Sequence, residues 1–265
     1  MRERSGTNMD VIETPAEKFA AAKKRASHPL TTEFIEQFEF GFDDFQIVAC
    51  HAVEEGKGVL VAAPTGAGKT VVGEFAAFSA LAHGKKCFYT TPIKALSNQK
   101  YAEFVERFGE SRVGLLTGDT NINSEADVLV MTTEVLRNML YANSSTLKNL
   151  GSVVMDEVHY LADKFRGAVW EEVLIHLMES VQVISLSATV SNAEEFGEWL
   201  GEVRGSTEVI VSEIRPIPLY QHVLIGNRMI DLFSEPGRVN PEILGLEREA
   251  LRRVKMPRQR RERYG

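Results

Sequence analysis

The 265-residue chain carries 37 acidic and 30 basic side chains for a net charge of −7, with 44% hydrophobic and 25% charged residues. That balance suits a globular α/β domain, or two small ones, with a sizeable core. It excludes a broad cationic face that would bind nucleic acid by charge alone. No apolar run approaches the roughly 20 residues of a membrane span, so no membrane partner is expected. The start, MRERSGTNMD, has no apolar segment behind its charges and does not read as a secretory leader. Cys50 and Cys87 stand far apart in apolar or mixed contexts and read as free thiols of a reducing, cytoplasmic setting. The charge is uneven: residues 248–263 hold eight basic and two acidic side chains. This tail is either a solvated linker or a basic arm on a nucleic-acid path.

Thr14-Pro15-Ala16-Glu17 has the pattern of a helix start, with a capping Thr, Pro at the first helical position and Glu three residues after the cap. A lysine-rich helix is predicted to run to about Ser27, and a second, short one over 32–38. From residue 58 short β-branched apolar runs alternate with helical segments. Strands are predicted at 58–63, 86–91, 112–117, 128–131, 152–156, 181–187 and 208–211, with helices over 70–82, 96–108, 134–141, 170–179 and 194–200. Continuously apolar strands separated by helices imply a parallel sheet covered on both faces. The pattern divides the chain into an N-terminal helical extension (1–30), one doubly wound α/β domain (31–225) and a charged linker or tail (226–265). Within 219–225 one more strand is predicted. The break at Ser234-Glu235-Pro236-Gly237 and the charge run after it lead us to expect a largely mobile tail.

Ala63-Pro64-Thr65-Gly66-Ala67-Gly68-Lys69-Thr70 falls between a predicted strand and a predicted helix. Small residues there let successive backbone N–H groups turn inward around phosphate oxygens, and the helix adds its positive end. Lys69 would reach the β- and γ-phosphates of ATP, and the Thr70 hydroxyl would hold Mg²⁺. Ala63 stands where the general pattern has Gly, a departure of one methyl group. Downstream, Asp156-Glu157 closes a predicted strand and can reach the same crevice. Asp156 would hold Mg²⁺, usually through water, and Glu157 would orient and deprotonate the attacking water. Lys69, Asp156 and Glu157 are therefore the expected catalytic set.

Taken together these segments resemble superfamily-two DEAD/DEAH-box helicases, in particular the superkiller-type (Ski-like) branch and its actinobacterial HelY group. The acidic motif reads Asp156-Glu157-Val158-His159, and Ser187-Ala188-Thr189 ends the next strand within LSATVSNAEEFGEWLG. Thr91-Pro92-Ile93-Lys94-Ala95-Leu96-Ser97-Asn98-Gln99-Lys100, Thr117-Gly118-Asp119 and Thr132-Thr133-Glu134-Val135-Leu136-Arg137 follow the family's order. The resemblance covers residues 36–232 or so. It implies a RecA-like P-loop NTPase domain, three-layer α/β/α, with a mostly parallel sheet of about seven strands. It also implies that Gln46 reads the adenine edge and that Phe40 stacks on the ring, with Phe42 and Phe45 as competing stackers. Pro92, Lys94, Thr117, Gly118, Thr132, Thr133 and Arg137 would face the nucleic-acid backbone, Thr132 and Thr133 also capping the helix that follows. His159, Ser187 and Thr189 would couple the γ-phosphate to a second lobe.

The family hydrolyses ATP between two RecA-like lobes, the second supplying arginines. No Gln-x-x-Gly-Arg-x-Gly-Arg pattern occurs in this sequence. The expectation is a monomeric first lobe of an ATP-dependent helicase, acting on single-stranded nucleic acid. The resemblance favours RNA and 3′-to-5′ movement, with a DNA helicase or translocase as the close rival and a nucleotide-dependent binding module without turnover as the alternative of another class. The isolated lobe is expected to show little or no turnover.

Overall fold

Leu60 faces one apolar cluster while its neighbours Val59 and Val61 face another, and the same alternation recurs along most of the strands. Period-two burial on both faces is the signature of a sheet sandwiched between helices. The computed structural model describes residues 26–163, 167–188, 192–216, 218–235 and 237–255. Its main sheet contains Gly58–Ala62 (β1), Lys86–Thr91 (β2), Val113–Leu116 (β3), Asn121–Ile122 (β4), Val128–Thr132 (β5), Leu150–Met155 (β6), Gln182–Ser187 (β7) and Thr207–Val211 (β8). They lie in the order β4-β3-β5-β2-β6-β7-β1-β8, parallel throughout except for the β3–β4 pair. The seven expected strands all form. The eighth, β4, has two residues and turns out of the sheet at Asn123, whose φ is +46°.

The helices are Pro29–Ile35 (α1), Asp44–Glu54 (α2), Thr70–Ala82 (α3), Lys94–Phe108 (α4), Thr133–Tyr141 (α5), Gly167–His176 (α6) and Ala193–Arg204 (α7). Side chains of α1 to α4 join Val59, Val61, Tyr89, Val130 and Val154 in one cluster. Those of α5 to α7 join Leu60, Phe88, Leu129, Met131 and Met155 in the other. The result is the expected three-layer α/β/α arrangement. α1 begins at Pro29, where the missing N–H is no loss. Its next two N–H groups, on Leu30 and Thr31, donate to the two oxygens of Glu54 at 2.9 Å each. A carboxylate at the N-terminus of a helix satisfies orphan donors and complements the dipole.

Gly114 in β3 is held by its surroundings. A Cβ there would lie 2.2 Å from the Asn123 carbonyl and 2.6 Å from the Leu129 side chain. Backbone carbonyls of the adjoining turn cannot step aside as a flexible side chain can. Gly114→Ala is expected to cost about 1–3 kcal/mol by overpacking, read as a lower thermal or denaturant midpoint.

The compact unit built on this sheet closes at Arg215, and a second unit begins at Pro216. Residue 225, the sequence-based boundary, lies inside that second unit. His222–Ile225 (β9) and Arg228–Asp231 (β10) pair as an antiparallel hairpin around Gly226-Asn227, with Gly226 at φ +64°. Two residues of this kind between apolar runs are a hairpin turn. Phe233–Glu235 (β11) pairs with Arg238–Val239 (β12), and Pro241–Lys255 (α8) follows, its Glu242 N–H donating to the Asn240 side chain at 3.0 Å. Secondary structure thus continues to Lys255 within the stretch predicted as a charged linker or tail. Apolar residues spaced along PEILGLEREALRRVK were masked in the sequence by their charged neighbours. The helix expected from Thr14 lies outside the described residues, except at its end.

Candidate nucleotide and nucleic-acid site

β1, β7 and β6 stand side by side, and each ends in one of the expected nucleotide segments. The loop after β1 runs through two glycines in the left-handed region, Gly66 at φ +85° and Gly68 at +81°. Only glycine adopts such angles without strain. Ala63, the departure from the strict pattern, is fully buried in the core, so its methyl is absorbed by packing. Its N–H donates to the Ser187 carbonyl at 3.1 Å, binding the loop to the end of β7. Pro64 and Ala67 close a turn through a 3.1 Å backbone bond, and Thr65 is exposed at its tip.

Lys69 is 8% exposed, and its ammonium donates to the carbonyls of Ala63 at 2.8 Å and Pro64 at 3.1 Å. Burial pulls its pKa down, while Glu157 and Asp156 act in the opposite direction. Thr70 starts α3 and is half-buried at the mouth of the loop. At the end of β6, Asp156 Oδ2 accepts from the Tyr89 hydroxyl at 2.8 Å and Oδ1 from the Glu157 N–H at 2.9 Å. Burial raises the Asp156 pKa, and these two donors with Lys100 and Lys69 oppose it. Glu157 adopts φ +54°, an unusual conformation for a residue with a Cβ. Its carboxyl is pushed up by burial and by Asp156, against His159 and Lys69. A carboxylate raised in this way is better suited to take a proton.

Gln46, in the first turn of α2, has both ends of its amide engaged. Its Oε1 accepts from the Asp43 N–H at 2.8 Å, and its Nε2 donates to the Gly68 carbonyl at 3.0 Å. One N–H and one lone pair remain for an adenine edge. A Cβ on Gly68 would come within 2.5 Å of that Nε2 and push the Gln46 amide out of its place, besides being strained by the φ. Of the three competing rings, Phe42 and Phe45 pack against the core, whereas Phe40 is 57% exposed. Phe40 lies stacked on Phe42 with centroids 5.9 Å apart, a solid base for a further ring.

His159 sits between the acidic segment and the end of β7. Its Nδ1 is 3.1 Å from Glu157 Oε2 and 3.5 Å from the Ala188 N–H. Ser187 is buried, and Thr189 lies outside the described residues.

The expected nucleic-acid segments end β2, β3 and β5, on the same edge of the sheet but on the other side of β6. Pro92 is buried, and Lys94 is exposed at the start of α4. Lys94 pairs with Asp119 at 2.9 Å, and Asp119 also accepts from the Thr117 hydroxyl at 2.9 Å, with exposed Gly118 between them. An exposed pair of this kind exchanges readily for a phosphate. Thr132 occupies the N-cap of α5 with extended backbone, yet makes no side-chain capping bond. Thr133 is fully buried and its hydroxyl donates to the Thr91 carbonyl at 3.3 Å. The expected side-chain capping by these two threonines is not made, and the Thr133 hydroxyl ties the start of α5 to β2 instead. Arg137 is turned toward α6, 3.7 Å from Glu172, and donates to Asn138.

Sequence reasoning missed Tyr89, a fully buried phenol bonded to the acidic pair. The signal was a hydroxyl-bearing ring inside a strand covered on both faces, where a polar atom needs a partner.

A phosphate loop, an acidic pair and a buried serine on three adjacent strands of a mainly parallel sheet define a RecA-like P-loop NTPase lobe. Residues 43–196 match the model of the DEAD/DEAH box helicase family, and the chain belongs to that family. A Mycobacterium leprae protein named probable helicase HelY is 61% identical over 216 residues, which is 80% of this chain and 24% of that protein. The chloroplastic DExH-box ATP-dependent RNA helicase DExH15 of Arabidopsis thaliana is 49% identical over 211 residues, 77% of this chain and 18% of that one. Among solved structures, the Mycobacterium smegmatis helicase Lhr bound to ssDNA and AMP-PNP is 32% identical with a TM-score of 0.58, covering 69% of this chain and 27% of Lhr. The chain thus spans a quarter or less of the length of these curated relatives.

Proposed function

We propose that this chain is the ATP-binding first lobe of an ATP-dependent helicase that moves 3′-to-5′ on single-stranded RNA, in the cytoplasm, as a monomer completed by a second RecA-like lobe. The observation that carries the reading is the split edge of the sheet. The nucleotide segments end β1, β7 and β6, and the nucleic-acid segments end β2, β5 and β3. One rigid sheet therefore joins the two sites. The residues present fit Mg²⁺–ATP: a two-glycine loop, a neighbouring ammonium, a hydroxyl at the first helical turn and a carboxylate with lone pairs to spare.

In this reading the loop amides and Lys69 hold the β- and γ-phosphates, Phe40 stacks on adenine, and Gln46 reads its edge. Thr70 and Asp156 would hold Mg²⁺, which when bound neutralises charge on the phosphates. Glu157 orients the attacking water and takes its proton. His159 and Ser187, packed at the adjoining strand ends, transmit the presence of the γ-phosphate. The Lys94–Asp119 pair opens to a backbone phosphate, and such contacts favour binding without sequence preference. Two buried free thiols suit a reducing compartment.

RNA is supported by the relative named as an RNA helicase, and DNA by the solved relative carrying ssDNA. The test is strand displacement by the full-length protein on matched RNA and DNA duplexes with 3′ or 5′ overhangs. ATP-dependent displacement of the RNA duplex from a 3′ overhang is expected. Displacement of the DNA duplex alone would install the rival, and none on either would sink the helicase reading.

A further inference from the structure

Tyr89 is fully buried in β2, yet it ends in a polar atom, and that atom touches the nucleotide site. Its hydroxyl donates to Asp156 Oδ2 at 2.8 Å. The ring reaches that position through a notch in α3. A Cβ on Gly73 would lie 2.8 Å from the Tyr89 ring and 3.1 Å from Val154, so Gly at this helical position makes room for the phenol. Glycine is a poor helix former, and here its missing side chain is occupied by Tyr89. On the other side α4 closes the seat. Phe104 meets the ring edge-on at 5.1 Å, and Lys100 places its ammonium 5.7 Å from the ring centre. Lys100 is itself buried and held by Glu103.

The ring is therefore fixed on three sides and cannot swing away from the carboxylate. Without Tyr89, Asp156 would keep one neighbouring donor among the described contacts, the Glu157 N–H at 2.9 Å, which fixes Oδ1 alone. A carboxylate held at both oxygens keeps its remaining lone pairs aimed in one direction, which is how outer partners tune a metal ligand.

Resting on the nucleotide site proposed above, we infer that Tyr89 is a positioning residue that orients the Asp156 carboxylate for the divalent cation of the bound nucleotide. Tyr89→Phe keeps the ring in its notch and removes only the donor. The experiment uses the full-length protein with a non-hydrolysable ATP analogue and Mn²⁺, free Mn²⁺ being counted by electron paramagnetic resonance. Mn²⁺ affinity is expected to fall about tenfold in Tyr89→Phe with an unchanged thermal midpoint, and to fall no further when Tyr89→Phe is added to Asp156→Asn. Unchanged Mn²⁺ affinity in Tyr89→Phe overturns the inference. So does a second tenfold loss on the Asp156→Asn background, because Tyr89 would then act elsewhere. A wild-type protein that binds neither the analogue nor Mn²⁺ overturns the nucleotide site itself, and this inference with it.

Discussion

Glu157→Gln in the full-length protein is expected to lower ATP turnover by about 10²–10⁴-fold, the usual contribution of a positioned general base, while nucleotide affinity is kept. Glutamine has the same shape but cannot take a proton. The structure supplies a reason to expect no loss of stability. Glu157 Oε2 is buried without a hydrogen-bond partner, 3.1 Å from His159 Nδ1, and it faces the like charge of Asp156. Removing a buried charge in that position relieves desolvation and repulsion together. Steady-state kinetics with a parallel melting curve would check both halves. A variant that turns over at the wild-type rate would remove Glu157 from the chemistry. A variant that melts well below wild type would show its charge to be compensated by partners other than these.

Lys69→Ala is expected to act earlier, on binding. In the structure the ammonium is already seated at the loop, bonded to two carbonyls and close to both acidic residues. Phosphate oxygens would replace those carbonyls at small geometric cost. Alanine removes the cation, leaves the carbonyls of Ala63 and Pro64 without that donor, and exposes bound phosphate to Asp156 and Glu157 with less neutralising charge. Loss of one such charged donor costs roughly 10²–10³ in rate, and a comparable drop in affinity is expected here. Titration with a fluorescent nucleotide, followed by hydrolysis at saturating ATP, would separate the two effects. Wild-type affinity in this variant would mean that the loop amides alone hold the phosphates.

Much of this architecture was legible because burial on both faces leaves continuous apolar strands. β2 and α3 have the bounds read from the sequence, and the other main-sheet strands differ by a residue or two. β4 was not legible, since two residues carry no period. The first strand of the β9–β10 hairpin was legible, as a strand within 219–225, whereas its partner alternates with charges and fell within the predicted tail although Gly226-Asn227 marks the turn. Within the site, the segments themselves could be read, whereas their engagements could not. The Gln46 amide, the Thr133 hydroxyl and the Arg137 guanidinium all make partners across distant strands and helices, which no local pattern encodes. Tyr89 was hidden for the opposite reason: in sequence it looks like one more core aromatic.

The two ends of the main sheet bear on whether another strand can add to it. An unpaired strand edge is a template for another chain. On one side the sheet stops at β4, two residues long and turned away at once by Asn123. On the other, among the described residues, it stops at β8, where Glu208 near the strand's start lies 3.6 Å from Lys57. One border is too short to recruit a neighbour, and the other carries a charge that a docking strand would have to bury. Each border thus discourages fibril-like stacking by its own means, so the parallel interior can be strongly apolar without making the lobe prone to self-association.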